Sequence, residues 1–218
     1  EAGLATGALN MARVVSIHPE TPQHRLLVQA AEFVRNGAIV ALPTDSCYAL
    51  GCHLGDKEAM DRIRQIRQMD ERHHLTLMVR DLSEIATYAR VDNAQYRLLK
   101  ATTPGSYTFI LEGSKELPRR VLHPKRKTIG LRVPDHPVAL ALLEELNEPL
   151  LTTTLQLPGD EAPLTEGWEI QERLDDQIEW VLDAGHCGTE PTTIIDLTGD
   201  APELVRAGRG PLAPFGLQ

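Results

Sequence analysis

The chain has 218 residues, 42% hydrophobic and 24% charged, with a net charge of −9, which is apolar material for one sizeable core or two small ones. No apolar run approaches the roughly 18 residues a membrane span needs, and no charged-then-apolar signal peptide opens the chain, which argues against a membrane or exported protein. Three cysteines, Cys47, Cys52 and Cys187, include no Cys-x-x-Cys pair, which argues against a disulfide framework and for a reducing cytoplasm.

Residues 1–12 read as a leader, 13–210 as one domain and 211–218 as a tail. A short strand is predicted over 14–17. Thr21-Pro22 marks a helix start, a hydroxyl cap before proline at the first helical position. Leu27, Ala30, Ala31 and Val34 then form an apolar face at helical spacing, and Asn36-Gly37 stops the helix. The run 38–42 is too short for a helix and predicts a buried strand, which Pro43 ends because it has no N–H for a ladder. Asp56 caps a second helix that turns Ala59, Ile63 and Ile66 inward. A strand over 75–79 and helices over 81–86 and 93–101 follow, broken by Thr102-Thr103-Pro104-Gly105. Strands are expected over 107–111 and 128–133, and Asp135 is read as the cap of a helix carrying Ala139, Leu142, Leu143 and Leu146 on one face. The strand 150–154 leads into a polar surface loop, 159–167. A helix over 168–174 and strands over 178–182, 192–197 and 204–206 complete the chain. Helices and strands alternating through short connections predict one α/β domain with a mixed sheet.

The loops at the strand ends carry the candidate chemistry. A buried strand ending at Thr44, Asp45 and Ser46 is where open α/β sheets place ligands. Thr102 to Thr108, Arg132-Val133-Pro134 and Thr152 to Gln156 offer similar hydroxyls, an amide and an arginine, groups suited to a small polar ligand and to phosphate or carboxylate. From Glu144 to Glu203, sixteen acidic residues face one basic residue, Arg173, a net of −15 that leaves the remaining chain at +6. Positive charge gathers in Arg62, Arg64, Arg67 and Arg72 with His73 and His74, and again in Arg119, Arg120, Lys125, Arg126, Lys127 and Arg132. An acidic whole argues against nonspecific coating of nucleic acid, while such clusters hold phosphates locally. Walker, Gly-x-Gly-x-x-Gly, Gly-x-Ser-x-Gly and His-Glu-x-x-His motifs are all missing. The cysteines with His53 and His186 lack zinc-ligand spacing, so no metal site is expected from them. The residues alone point to an α/β domain with a cleft for something anionic.

Five motifs, in order, resemble the YrdC/YciO family, which includes the threonylcarbamoyl-adenylate synthases of tRNA modification. They are Pro43-Thr44-Asp45-Ser46-Cys47-Tyr48-Ala49-Leu50-Gly51, Pro104-Gly105-Ser106-Tyr107-Thr108, Arg132 to Pro137, Pro191-Thr192-Thr193-Ile194-Ile195-Asp196 and Arg206-Ala207-Gly208. Where the synthases carry Lys-x-Arg and Ser-x-Asn, this chain has Arg67-Gln68-Met69 and Thr154-Leu155-Gln156, departures that look like the YciO branch. The resemblance implies a twisted mixed sheet flanked by helices with a large concave pocket. It implies synthesis of threonylcarbamoyl-adenylate from ATP with Mg²⁺, L-threonine and bicarbonate, with tRNA or double-stranded RNA and t6A-pathway proteins as further partners. By position, Arg67 and Arg132 would serve the reaction, Thr44, Tyr48 and Arg132 would hold L-threonine, and Arg67, Thr108, Thr154, Gln156 and Arg206 the nucleotide, with His73 and His74 near the phosphates. Two other readings stay open. One is RNA or nucleotide binding without synthesis, against which the 4% aromatic content counts because few rings remain for base stacking. The other is hydrolysis of an adenylate or nucleotide in the same pocket.

Overall fold

The computed structural model describes residues 11–69 and 75–218. Strand β1 (Arg13–Ser16) and helix α1 (His24–Arg35) come first, then β2 (Val40–Leu42), β3 (Ala49–His53) and α2 (Lys57–Arg67). Next are β4 (Thr76–Met78), α3 (Leu82–Tyr88), α4 (Asn93–Thr102), β5 (Tyr107–Glu112) and β6 (Thr128–Arg132). The chain continues through α5 (Pro137–Leu146), β7 (Leu150–Thr154), α6 (Gly167–Leu174), β8 (Trp180–Asp183), β9 (Thr193–Asp196) and β10 (Glu203–Arg206). These ten strands form one sheet in the order β1-β8-β2-β3-β7-β4-β6-β5-β9-β10. It is mixed: β8 runs parallel to β1 and β2, β4 to β6, and β5 to β9, while the other neighbours are antiparallel. The expected α/β class and mixed sheet are therefore present.

Local signals account for most helix starts. The Asp56 carboxylate accepts the Ala59 amide at 3.0 Å and Asp81 that of Glu84 at 2.9 Å. Asp92 and Gln95 form a reciprocal capping box at α4, each cap contributing about 1 kcal/mol. Two expected starts are corrected. Helix α1 begins after Gln23, because the Thr21 hydroxyl lies 3.1 Å from His18 Nδ1 and serves that turn. Helix α5 is capped by His136, whose Nδ1 accepts the Val138 amide at 3.1 Å. Asp135 instead donates its backbone N–H to the Asp45 carboxylate at 3.1 Å. Strand β3 was not anticipated. Its Ala-Leu-Gly-Cys sequence has weak strand preference, but β2 and β7 bond to it on both sides, and burial there overrides propensity.

Side chains alternate between two cores, one on each face of the sheet. Leu77, Phe109, Leu131 and Leu151 point toward α2, α3, α4 and α6, where Ile63, Ile85, Leu99 and Ile170 close the larger core. Val40, Leu42, Met78 and Leu150 point the other way, against α1 and α5, through Leu27, Ala31, Leu142 and Leu143. Helices α1 and α5 pack on each other and draw their core partners from β1, β8, β2 and the adjoining ends of β3, β7 and β4. Past that limit the same face carries Thr76, Thr108, Arg132, Thr152 and Thr154 and forms a concavity. The segment expected as a tail is packed: Phe215 is 7% exposed and meets the rings of Tyr107 and Phe109. Within the expected leader, Ala12 is buried and bonds to the Asp175 carbonyl.

Candidate active site

The concavity is a cavity of about 520 Å³, within the range of small-molecule sites. Thr44, Tyr48, Arg67, Thr108, Arg132, Thr154, Gln156 and Arg206, the eight residues singled out from the sequence, all line it. They come from the 43–48 loop, the end of α2, the start of β5, the ends of β6, β7 and β10, and the segment just after β7. Sheet register brings them together: Ala49 pairs with Thr154, Arg132 with Met78 and Thr108 with Ile194. Gly130 leaves room for the Thr108 side chain, since a Cβ there would meet its methyl at 2.9 Å. His73 and His74, with Arg72, lie outside the described residues.

Most of these polar groups bond to the protein itself. The Thr44 hydroxyl donates to the Cys47 carbonyl at 2.6 Å and accepts the Ser46 and Cys47 amides at 3.1 Å, so it shapes its loop. Tyr48 is wholly buried. Its hydroxyl donates to the Gly185 carbonyl at 2.6 Å and accepts the Ala184 amide at 3.3 Å, and burial pushes its ionisation well above the ordinary value. Thr108 and Thr192 share a hydroxyl pair at 2.8 Å. Arg206 grips the Thr192 carbonyl through Nε and Nη2 at 3.1 and 2.7 Å. Gln156 donates its amide to the Asp160 carbonyl at 2.9 Å.

Arg132 is only 6% exposed. It forms an ion pair with Asp45 and donates to the Ser46 hydroxyl at 3.2 Å, while its Nε is buried without a partner. Burial lowers its pKa and Asp45 opposes that shift; an arginine remains charged throughout. Asp45 also accepts from the Ser106 hydroxyl and the Asp135 amide. Arg67 donates to the Thr154 carbonyl, and its Nε too is buried without a partner. Gln68 leaves α2 in the left-handed region, at φ 51°, and the turn places Met69 on the cavity wall, Sδ 4.0 Å from the Thr153 hydroxyl.

The partner of Arg132 was not legible along the chain, although Asp45 stands on the 43–46 loop. Nor was Glu161, which lies in the polar loop 159–167 and is the one carboxylate among the described lining residues. Burial raises the Cys47 thiol above its usual value and pushes Cys187 up to about 11, so neither is an activated nucleophile near neutral pH. The arrangement suits anions and hydroxyl-bearing ligands and, among the described residues, offers no nucleophile–base pair.

The chain is 54% identical to "Uncharacterized protein YciO" of Escherichia coli K12, over 94% of this chain and 100% of that protein. The crystal structure of E. coli YciO superposes with a TM-score of 0.91 over the same shares. A putative threonylcarbamoyl-AMP synthase of Methanocaldococcus jannaschii is 29% identical over 88% of this chain and 90% of that one. Sua5 of Pyrococcus abyssi, solved in complex with L-threonine, has a TM-score of 0.85 at 27% identity, covering 93% of this chain and 59% of that chain. The family profile for Sua5/YciO/YrdC, described as telomere recombination, matches residues 32–208. With that match over most of its length, and a fold that superposes on E. coli YciO at 54% identity, the chain belongs to the Sua5/YciO/YrdC family.

Proposed function

We propose that this protein joins ATP, L-threonine and bicarbonate into threonylcarbamoyl-adenylate and pyrophosphate, acting in the cytoplasm in the pathway of tRNA threonylcarbamoyladenosine modification. L-threonine and bicarbonate lose water to give a carbamate. A carbamate oxygen then attacks the α-phosphorus of ATP, the α–β bridging P–O bond breaks, and pyrophosphate carries the electron pair away. Such a step needs in-line positioning and charge stabilisation, not a covalent nucleophile. The observation that carries this reading is the meeting of Arg67, Arg132 and Arg206 with a row of hydroxyls in one cavity.

Arg67 would face the phosphates, and Thr108, Thr154 and Arg206 the nucleoside end. Arg132 would act on the threonine side chiefly by holding Ser46 and the 43–46 loop, since Asp45 already occupies one edge of its guanidinium. Mg²⁺ bound with ATP supplies charge neutralisation on the phosphates.

Met69 favours a second reading, nucleotide or RNA binding without efficient synthesis, because an uncharged thioether occupies cavity wall where the synthases' motif has arginine. Pyrophosphate release from ATP and bicarbonate, with and without L-threonine, separates the two. Threonine-dependent release that Arg67→Ala lowers roughly 10- to 100-fold is the expected result. Nucleotide binding with no release at saturating substrates would overturn synthesis and leave the second reading. Arg67→Ala is the better control than a change at Arg132, whose loss would strand Asp45.

A further inference from the structure

Strand β10 lies at the edge of the sheet, and among the described residues it pairs only with β9. Its first two pairs, Glu203 with Asp196 and Leu204 with Ile195, keep a regular antiparallel register. The third does not. Arg206, and not Val205, stands opposite Ile194, so two residues of β10 span one of β9. This is a β-bulge at Val205, whose side is 53% exposed. Side chains alternate along β9, with Ile195 in the larger core and Ile194 on the cavity wall. An unbroken ladder would therefore set Val205 opposite Ile194 and carry Arg206 to the face of the larger core. The bulge is what brings Arg206 to the cavity.

One buried hydroxyl holds the chain beyond the bulge. Thr193 is fully buried, on the face of β9 opposite to Ile194. Its hydroxyl accepts the Gly208 amide at 3.1 Å and donates to the Gly210 carbonyl at 2.7 Å. The Arg209 amide adds a bond to the Pro191 carbonyl at 2.8 Å. Gly208 fits because it has no side chain: a Cβ would lie 2.4 Å from the Pro191 carbonyl oxygen and 2.5 Å from that of Thr192. With the backbone clamped just past it, Arg206 reaches back to the Thr192 carbonyl through Nε and Nη2. Valine matches threonine in shape but has no hydroxyl, so it would leave the Gly208 amide and the Gly210 carbonyl without this partner.

We infer that Thr193 is a positioning residue, which holds the β10 bulge in register and so keeps Arg206 on the cavity wall; this rests on the reading of Arg206 as a nucleotide contact. Calorimetric titration of Mg²⁺·ATP into wild type, Thr193→Val, Thr193→Ser, Arg206→Ala and the Thr193→Val, Arg206→Ala double variant tests it. Nuclear magnetic resonance of the Arg206 Nε–H, assigned by its loss in Arg206→Ala, reads the position of the side chain directly. Thr193→Val is expected to weaken ATP binding about tenfold and to speed exchange of that Nε–H. Thr193→Ser keeps the hydroxyl and should match wild type. The double variant should bind no more weakly than Arg206→Ala alone, because the effect of Thr193 passes through Arg206. Wild-type affinity in Thr193→Val, a loss in Thr193→Ser as large as in Thr193→Val, or a further loss in the double variant would overturn the assignment to Thr193. Should Thr193→Val not fold, Gly208→Ala forces the same clamp apart from its other side, and unchanged ATP affinity there overturns the inference. Arg206→Ala that binds ATP as wild type does would overturn the nucleotide reading of Arg206 and this inference with it.

Discussion

Asp45 accepts from Arg132, from the Ser106 hydroxyl and from the Asp135 amide. One carboxylate thereby ties the loop after β2 to the loop before β5 and to the start of α5. Both members of the ion pair are nearly excluded from water, at 7% and 10% side-chain exposure. Removing one charge strands the other in a low-dielectric site, which costs about 3–5 kcal/mol. Asp45→Ala should therefore lower stability by about that much in urea unfolding. The double change Asp45→Leu with Arg132→Met should cost less than Asp45→Ala alone, because it leaves no buried charge. A double change costing as much as the two singles together would mean that the pair does not act as a unit. The eight lining residues were legible because they stand in or beside the family's motifs, most of them at strand ends and Arg67 at the end of α2. Their partners were not, since Asp45 and Arg132 are separated by 87 positions.

Helix α5 starts on a histidine that must be neutral at Nδ1 to accept the Val138 amide. Burial holds His136 below its ordinary value of 6.5, against the opposing pull of Asp45 and Asp135. With the folded value depressed, the neutral ring contributes stability that is fully present above the unfolded value, about pH 6.5. That contribution is lost as the pH falls through the folded value. His136→Asn keeps a cap acceptor and removes the titration. The fall in urea midpoint from about pH 7 to about pH 5 should then be smaller in the variant. Equal falls would place the acid sensitivity elsewhere, in the carboxylates of the ion pairs. This cap was misassigned because Asp is a strong cap by type and His is not, while the helix starts one residue later than Asp135 would place it, with His136 at the cap.

Two cores separated by one sheet make substitutions on opposite faces independent. Leu77 belongs to the α2 side and Leu142 to the α5 side, and both are fully buried. Each Leu→Ala change should cost about 2–5 kcal/mol. The pair should add to within about 0.5 kcal/mol in denaturant unfolding. A larger mismatch would mean that the sheet transmits repacking from one face to the other. The same two-faced design explains the site: α1 and α5 cover only part of their face, and the uncovered strands carry threonine and arginine in place of leucine and valine.

Apolar spacing, caps such as Asp56, and breaks such as Asn36-Gly37 and Pro43 act within a turn of helix or a few residues of strand. They were readable along the chain, as were the α/β class and the polar strand ends. Strand order, the strand state of β3, the Asp45–Arg132 pair and the placement of Glu161 at the cavity depend on residues far apart in sequence. Backbone ladders and the choice of which face α1 and α5 cover decided these, because a pairing partner is selected by sheet register and burial and not by its neighbours in the chain.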